Sequence, residues 1–290
     1  MATKNYIDTL INSDTTVVFT FGYIGAGKTT LLTCLYEYLF RTNYIELNTS
    51  GNSEGANYLI RCAGDLREDN KLPPITSTNT IKEVDWIFEM EKQKSVLTFL
   101  DMAGEDLRRT SPREKDKITG TNSDGTLNAE ITKYLKSEKL PVILLCVIDY
   151  ERASKDNEII HKFLSSTKEF DCNFAGAAII VTKWDKNPNV NQDVSAFIKT
   201  NALATLNSLT ELVEKPSFFP FSVGKVNDIN KELVDLLDLS YCKPILEWLH
   251  YTSINNNSSI YDNNDESTKN ILEYLKIFFN HLKDIPFFNN

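Results

Sequence analysis

The sequence has little of what marks secretion, membrane insertion or metal capture. No run approaches the roughly 18 consecutive apolar residues of a membrane span, so no transmembrane segment is expected. Residues 1–6 (MATKNY) contain no apolar stretch like a secretory leader. Cys34, Cys62, Cys146, Cys172 and Cys242 are scattered, odd in number and without C-x-x-C spacing. Most sit in apolar surroundings and read as reduced core residues of a cytoplasmic protein. His161, His250 and His281 are too dispersed for a zinc site. Positive charge is also scarce: 31 Lys and Arg face 40 Asp and Glu, for a net charge of −9. General nucleic-acid binding, which needs a cationic surface, is therefore not expected. The densest basic run, residues 107–117 (LRRTSPREKDK), is broken by acids and reads as a solvated, mobile face.

What is present is an ordinary globular composition, 41% hydrophobic and 24% charged over 290 residues. That length allows one large domain or two small ones.

The most informative segment is Gly22-Tyr23-Ile24-Gly25-Ala26-Gly27-Lys28-Thr29, which fits G-x-x-x-x-G-K-[ST]. Glycines let successive N–H groups turn into one concavity, and the following helix adds its dipole to the attraction for an anion. The cradle is assigned to Gly22, Gly25, Ala26, Gly27, Lys28, Thr29 and Thr30. Lys28 would reach the β- and γ-phosphates, and the Thr29 hydroxyl would bind Mg²⁺. Residues 15–21 (TTVVFTF) before the loop read as a buried strand, and residues 30–40 (TLLTCLYEYLF) after it have helical spacing. Strand, glycine loop and helix are the order that phosphate binding requires.

Further along, residues 56–62 have helical character, and Pro73-Pro74 makes residues 72–80 an extended loop. Residues 84–90 and 95–100 read as an antiparallel strand pair around the polar turn 91–94. Residues 101–125 look mobile, and residues 126–137 look helical. The near-continuous apolar runs 141–148 and 175–181 are typical of parallel strands covered on both faces. Helices are predicted near 156–169, over 193–213 and over 227–249, with a strand at 217–223. The alternation predicts an α/β fold: a mostly parallel, doubly wound sheet flanked by helices in three layers. The predicted division is a domain over 1–250, a polar linker over 251–269, and an extra C-terminal helix and tail over 270–290. That last helix has an apolar face to bury, against the parent domain or against a partner.

Three elements fall at the carboxyl ends of predicted strands, where this architecture binds ligands. Asp101-Met102-Ala103-Gly104 pairs an Asp that can hold Mg²⁺ through water with a Gly N–H that can bond a γ-phosphate. D-x-x-G alone is common, and its weight comes from the phosphate loop upstream. In Thr182-Lys183-Trp184-Asp185, the carboxylate can accept from N1–H and N2–H₂ of guanine, a donor pair that adenine lacks. The Lys183 stem can lie over the base plane. The ordinary alternative is a Lys–Asp surface pair. In Phe221-Ser222-Val223-Gly224-Lys225, Ser222 and the N–H of Val223 could contact the base oxygen, a signal that is weak by itself.

Taken in order, G-Y-I-G-A-G-K-T, D-M-A-G, T-K-W-D and F-S-V-G-K resemble the motif series of Ras-like (TRAFAC-type) P-loop small GTPases, over residues 15 to 225. Leu72-Pro73-Pro74-Ile75-Thr76 with Gly104-Glu105-Asp106-Leu107 resembles the bacterial double-GTPase domains. The resemblance implies a P-loop NTPase fold, GTP or GDP as ligand, Mg²⁺ as cofactor, and a protein effector or activator. A nucleotide-dependent dimer is compatible with it. Residues 72–80 would be the first switch, with Thr76 as third metal ligand and Thr78 and Thr80 as competitors. Residues 101–125 would be the second. The implied metal set is Thr29, Thr76 and Asp101, and the implied catalytic set is Lys28, Thr76, Gly104 and Glu105.

Two residues depart from the family pattern. Thr182 stands where Asn is usual, and Glu105 stands where a Gln usually orients the attacking water. A carboxylate there accepts from water but cannot donate to the phosphoryl group, and it faces like charge. Slow hydrolysis is the expectation, with an arginine from a partner, or one of Arg67, Arg108, Arg109 and Arg113, as a compensating cation.

Overall fold

Residues 142–149 (VILLCVID) are apolar at nearly every position because both faces of their strand are covered. The computed structural model describes residues 10, 15–47, 53–74, 81–102, 129–189, 192–227 and 229–258. The described elements run β1 (Thr16–Phe21), α1 (Lys28–Arg41), β2 (Ile45–Leu47), α2 (Ser53–Glu68), β3 (Ile81–Met90), β4 (Gln93–Met102) and α3 (Ala129–Leu135). There follow β5 (Val142–Asp149), α4 (Ala153–Thr167), β6 (Phe174–Thr182), α5 (Val194–Asn201), α6 (Leu203–Leu212), β7 (Ser217–Pro220) and α7 (Cys242–Ser258).

The seven strands form one sheet in the order β2-β3-β4-β1-β5-β6-β7. From β4 to β7 all neighbours are parallel, and β3 is antiparallel to β4 and to β2. Side chains alternate between two cores, as period-2 geometry demands. Leu144, Cys146 and Ile148 join one core with residues of α3, α4, α5 and α6. Ile143, Leu145 and Val147 join the other with residues of α1, α2 and α7. The result is a three-layer α/β fold with the strand–loop–helix start of a P-loop NTPase.

The predicted hairpin is present. Its turn is only Glu91-Lys92, both with positive φ (51° and 67°), as a two-residue turn matched to strand twist requires.

Three elements differ from the sequence expectation. The helix predicted over 193–213 is two helices, broken at the buried Ala202 (φ −136°), whose N–H closes the first on the carbonyl of Ile198. The strand predicted over 217–223 ends at Pro220.

The helix predicted over 227–249 begins only at Cys242. Before it, Asn227 and Asn230 accept from the backbone N–H groups of Ile229 and Glu232, and Lys231 is left-handed (φ 58°). Those local bonds compete with helix, and the stretch instead bridges Val226 to Leu233. α7 then continues to Ser258, into the stretch expected as linker.

β1 is the central strand of the sheet, with β4 on one side and β5 on the other. Winding reverses there, so a crevice opens at its carboxyl end, and the glycine loop occupies that position.

Candidate functional site

The loop from Gly22 to Gly27 is shaped by close packing and by handedness. A Cβ on Gly22 would lie 2.2 Å from the carbonyl oxygen of Val147, so only glycine lets the loop pass β5. Gly27 has φ 87° and directly precedes α1, turning the chain into the helix. The N–H of Ala26 bonds the carbonyl of Tyr23, and the N–H of Leu31 bonds that of Gly27. Lys28 is only 6% exposed, and its Nζ donates to the carbonyl of Gly22 (3.0 Å) across the loop's own span. A buried ammonium beside a glycine loop that opens a helix is suited to an anion.

At the far end of the loop, the Thr29 hydroxyl donates to Oδ2 of the buried Asp101 at 2.8 Å. β4 carries Asp101 beside Thr20 of β1, which brings the two together. Both are hard oxygen donors, and the pair fits Mg²⁺ that keeps several waters and phosphate oxygens. Among the described residues no group of three or more His, Cys, Asp or Glu could hold a metal alone.

β6 delivers the second half of the site. The Thr182 hydroxyl donates to the carbonyls of Ala26 (2.8 Å) and Ile148 (3.2 Å), tying the end of β6 to the phosphate loop. Thr thus braces the loop from the position where the resemblance expects Asn. Lys183 is left-handed (φ 55°), and its Nζ donates to Asp149 Oδ2 at 2.7 Å. Asp185 accepts from the Ser222 hydroxyl at 2.7 Å, and Ser222 in turn accepts from the N–H of Gly224 at 3.1 Å. Backbone bonds Phe221 N–H to Val181 and Trp184 N–H to Phe221 hold the two motifs together.

These groups enclose a cavity of about 580 Å³. Gly25, Gly27, Lys28, Thr29 and Thr30 line one end, and Lys183, Asp185, Ser222 and Val223 line the other. Leu72, Pro73 and Pro74 also line it, as do Val226 and Lys231. The loop after β7 reaches the entry to residues 72–74 through backbone bonds from Leu72 to Lys231 and from Leu233 to Asn70. The sequence reading missed this link because it took residues 227–241 as helix.

Two further charged residues, one of them lining the cavity, were missed. Asp149, at the end of β5, is fully buried and receives both Lys183 and Arg152 (Nε, 3.1 Å) on one oxygen. Arg152 lines the cavity and lies over the Tyr23 ring, 5.4 Å from its centroid. Neither belongs to a motif; the available signal was their place just past the carboxyl end of a central strand. Beside them, burial raises the Asp156 carboxyl to about 6, while its Oδ2 accepts from the N–H of Asp149.

Arg67, a candidate compensating cation, does not line the cavity. Its guanidinium donates twice to the buried Glu37 (3.0 and 2.6 Å), joining α2 to α1. Thr76, Thr78, Thr80, Gly104, Glu105, Arg108, Arg109 and Arg113 lie outside the described residues, as does the predicted helix over 270–290. The five cysteines are free thiols. Among the described residues no helix is long and apolar enough to cross a membrane.

No family model and no curated protein matches the chain. Among solved structures, the GDP-bound Roco2 RocCORdC of Methanosarcina barkeri is similar at 14% identity and a TM-score of 0.41. That match covers 83% of this chain and 50% of the other, so the chain spans about half the length of that protein. A likeness at that score carries no argument about ligand or reaction. The P-loop NTPase fold of this chain rests on its strand order, its glycine loop and the Thr29–Asp101 pair.

Proposed function

We propose that this chain binds GTP and GDP with Mg²⁺ and hydrolyses GTP slowly, as a nucleotide-controlled switch. The observation that carries the guanine reading is the cavity face of Asp185, oriented by Ser222 and joined through the β6 terminus to the phosphate loop. A fixed carboxylate accepts the two N–H donors of guanine's edge, and adenine offers no such pair. Lys183, held by Asp149, presents its alkyl stem to the base plane.

In this reading Lys28 neutralises the β- and γ-phosphates, and Thr29 and Asp101, with Thr76, would hold the ion. The ion supplies charge neutralisation for the transferring phosphoryl. Water is the nucleophile, and catalysis is positioning and charge stabilisation rather than covalent chemistry. Glu105 and the N–H of Gly104 would face the γ-phosphate. The slow rate follows from Glu105, which cannot donate to the phosphoryl group, and an activator that supplies an arginine would raise it. The free thiols support a reducing, cytoplasmic setting.

The same Glu105 favours a second reading, a module that binds guanine nucleotide and presents a surface without turnover. Fluorescent GTP and ATP titrations, followed by single-turnover phosphate release with Mg²⁺, separate these readings. Equal affinity for GTP and ATP overturns guanine selectivity. Tight GTP binding with release at background leaves the binding module.

A further inference from the structure

We propose that Arg152 is a nucleotide contact of this chain, a cation for the α- and β-phosphates that no motif contains. The inference rests on the guanine-nucleotide reading above and adds a residue to it.

Arg152 ends the short turn Tyr150–Arg152 after β5 and leads into α4, at the same end of the sheet as the phosphate loop. Its side chain is arranged from three sides. Asp149 accepts from Nε, Asp156 stands 4.0 Å from Nη2, and the Tyr23 ring lies under the guanidinium. Nη2 is buried, yet it has no hydrogen-bond partner among the described residues. A buried guanidinium N–H without a hydrogen bond is costly, and such groups call for an explanation. Nη2 sits 4.0 Å from where a Cβ on Gly25 would be, so it abuts the middle of the phosphate loop at the cavity wall.

The charge count points the same way. Asp149 already serves two cations, Lys183 and Arg152, through one oxygen. Lys28, Lys183, Lys186 and Lys231 line the cavity with Arg152, and Asp185 is the one carboxylate among its lining residues. The cavity wall therefore presents more cation than anion, and a phosphate oxygen would complete the donor set of Arg152.

Position along the loop selects which phosphates. Thr29 and Asp101 mark the metal and γ end. Arg152 shares Asp149 with Lys183, and so stands on the base side of the loop at Gly25. From there it meets the diphosphate that GDP and GTP have in common. Its role is retention of nucleotide rather than stabilisation of the γ-phosphoryl in transfer.

The test compares the parent protein with Arg152→Gln and Arg152→Lys by GDP and non-hydrolysable GTP-analogue titration, nucleotide release, and melting without nucleotide. Gln keeps a donor for Asp149 but carries no charge. It should weaken both nucleotides equally, by about tenfold or more, the worth of one charged hydrogen bond. Release should quicken, nucleotide-free melting should change little, and Lys should recover part of the affinity. Unchanged GDP affinity in Arg152→Gln overturns the inference. So does a loss confined to the GTP analogue, or a loss fully matched by a lower nucleotide-free melting temperature. Failure of the parent protein to bind GDP is a different result: it removes the guanine-nucleotide reading itself.

Discussion

The Thr182 hydroxyl donates to the carbonyl of Ala26 at 2.8 Å, joining the end of β6 to the phosphate loop. One buried oxygen thus connects the part of the site that would read the base to the part that would hold phosphate. Thr182→Val keeps the shape and removes the donor, leaving the carbonyls of Ala26 and Ile148 without it. The expected cost is about 1 to 3 kcal/mol in unfolding free energy. GDP affinity should fall as well, because the loop loses its brace. Denaturant unfolding with a GDP titration measures both, and a neutral change in both would show that the hydroxyl does not hold the loop.

Lys28 is buried over the loop and donates to Gly22. Lys28→Ala should lower GTP affinity by roughly a hundredfold, since charge-assisted bonds to phosphate are lost. Affinity equal to that of the parent protein would remove the phosphate-loop assignment.

Asp185→Asn tests the base. The amide oxygen can still accept from Ser222, so the local fold should persist. The amide N–H₂ now faces the donor edge of guanine, and GTP affinity should drop by roughly a hundredfold. A base with a carbonyl at C2, such as xanthine, should gain affinity in its place. Competition titrations with GTP, ATP and xanthosine triphosphate decide this, and an unaltered preference would displace Asp185 from the base site.

Arg67 is predicted to matter for stability and not for chemistry. Burial works to raise the Glu37 pKa, but Arg67 and Arg41 overcome it and hold the carboxylate below its ordinary value. That contribution is present above the unfolded pKa and is lost as pH falls through the lower folded value. Arg67→Ala should cost about 1 to 3 kcal/mol, less than for a fully buried pair, because Arg67 is partly exposed and Arg41 remains. Single-turnover hydrolysis by the folded variant should match the parent, and a large fall in rate would return Arg67 to the site.

Asp156 and His250 give opposite pH signatures. Burial raises Asp156 from 3.8 to about 6, so its contribution to stability is full at low pH and is lost as pH rises through about 6. Asp156→Asn should remove that loss and raise the melting temperature at pH 7. Burial lowers His250 from 6.5 to about 4, so its contribution is present above 6.5 and is lost as pH falls through about 4. Melting curves of Asp156→Asn and His250→Gln against the parent, from pH 4 to 7, isolate each slope. Matching slopes in parent and variant would contradict the assignment.

Much of this architecture was readable from residues. The runs 141–148 and 175–181 read as strands covered on both faces, because they are short, continuously apolar and rich in Val and Ile. The loop from Gly22 to Thr29 and its flanks carried their own order. Asp101, Thr182 and Asp185 were placed by their motifs at or just past the ends of predicted strands. The segment 227–241 was not readable, because Asn227 and Asn230 bond their own backbone, and the N–H groups of Leu72 and Leu233 bond the carbonyls of Lys231 and Asn70 across a large sequence gap. Periodicity reports one chain segment at a time, and those bonds depend on a second segment.

The sequence by itself determined the layered α/β class, the phosphate loop and the residue types that can read a guanine base. These follow from local patterns of polarity and backbone freedom. Only the tertiary structure decided which charges share the cavity. Arg67 went to Glu37, and Arg152 went to Asp149 and Tyr23. An arginine's destination depends on which anion the packed strands and helices bring within a few ångströms, and no linear spacing states that.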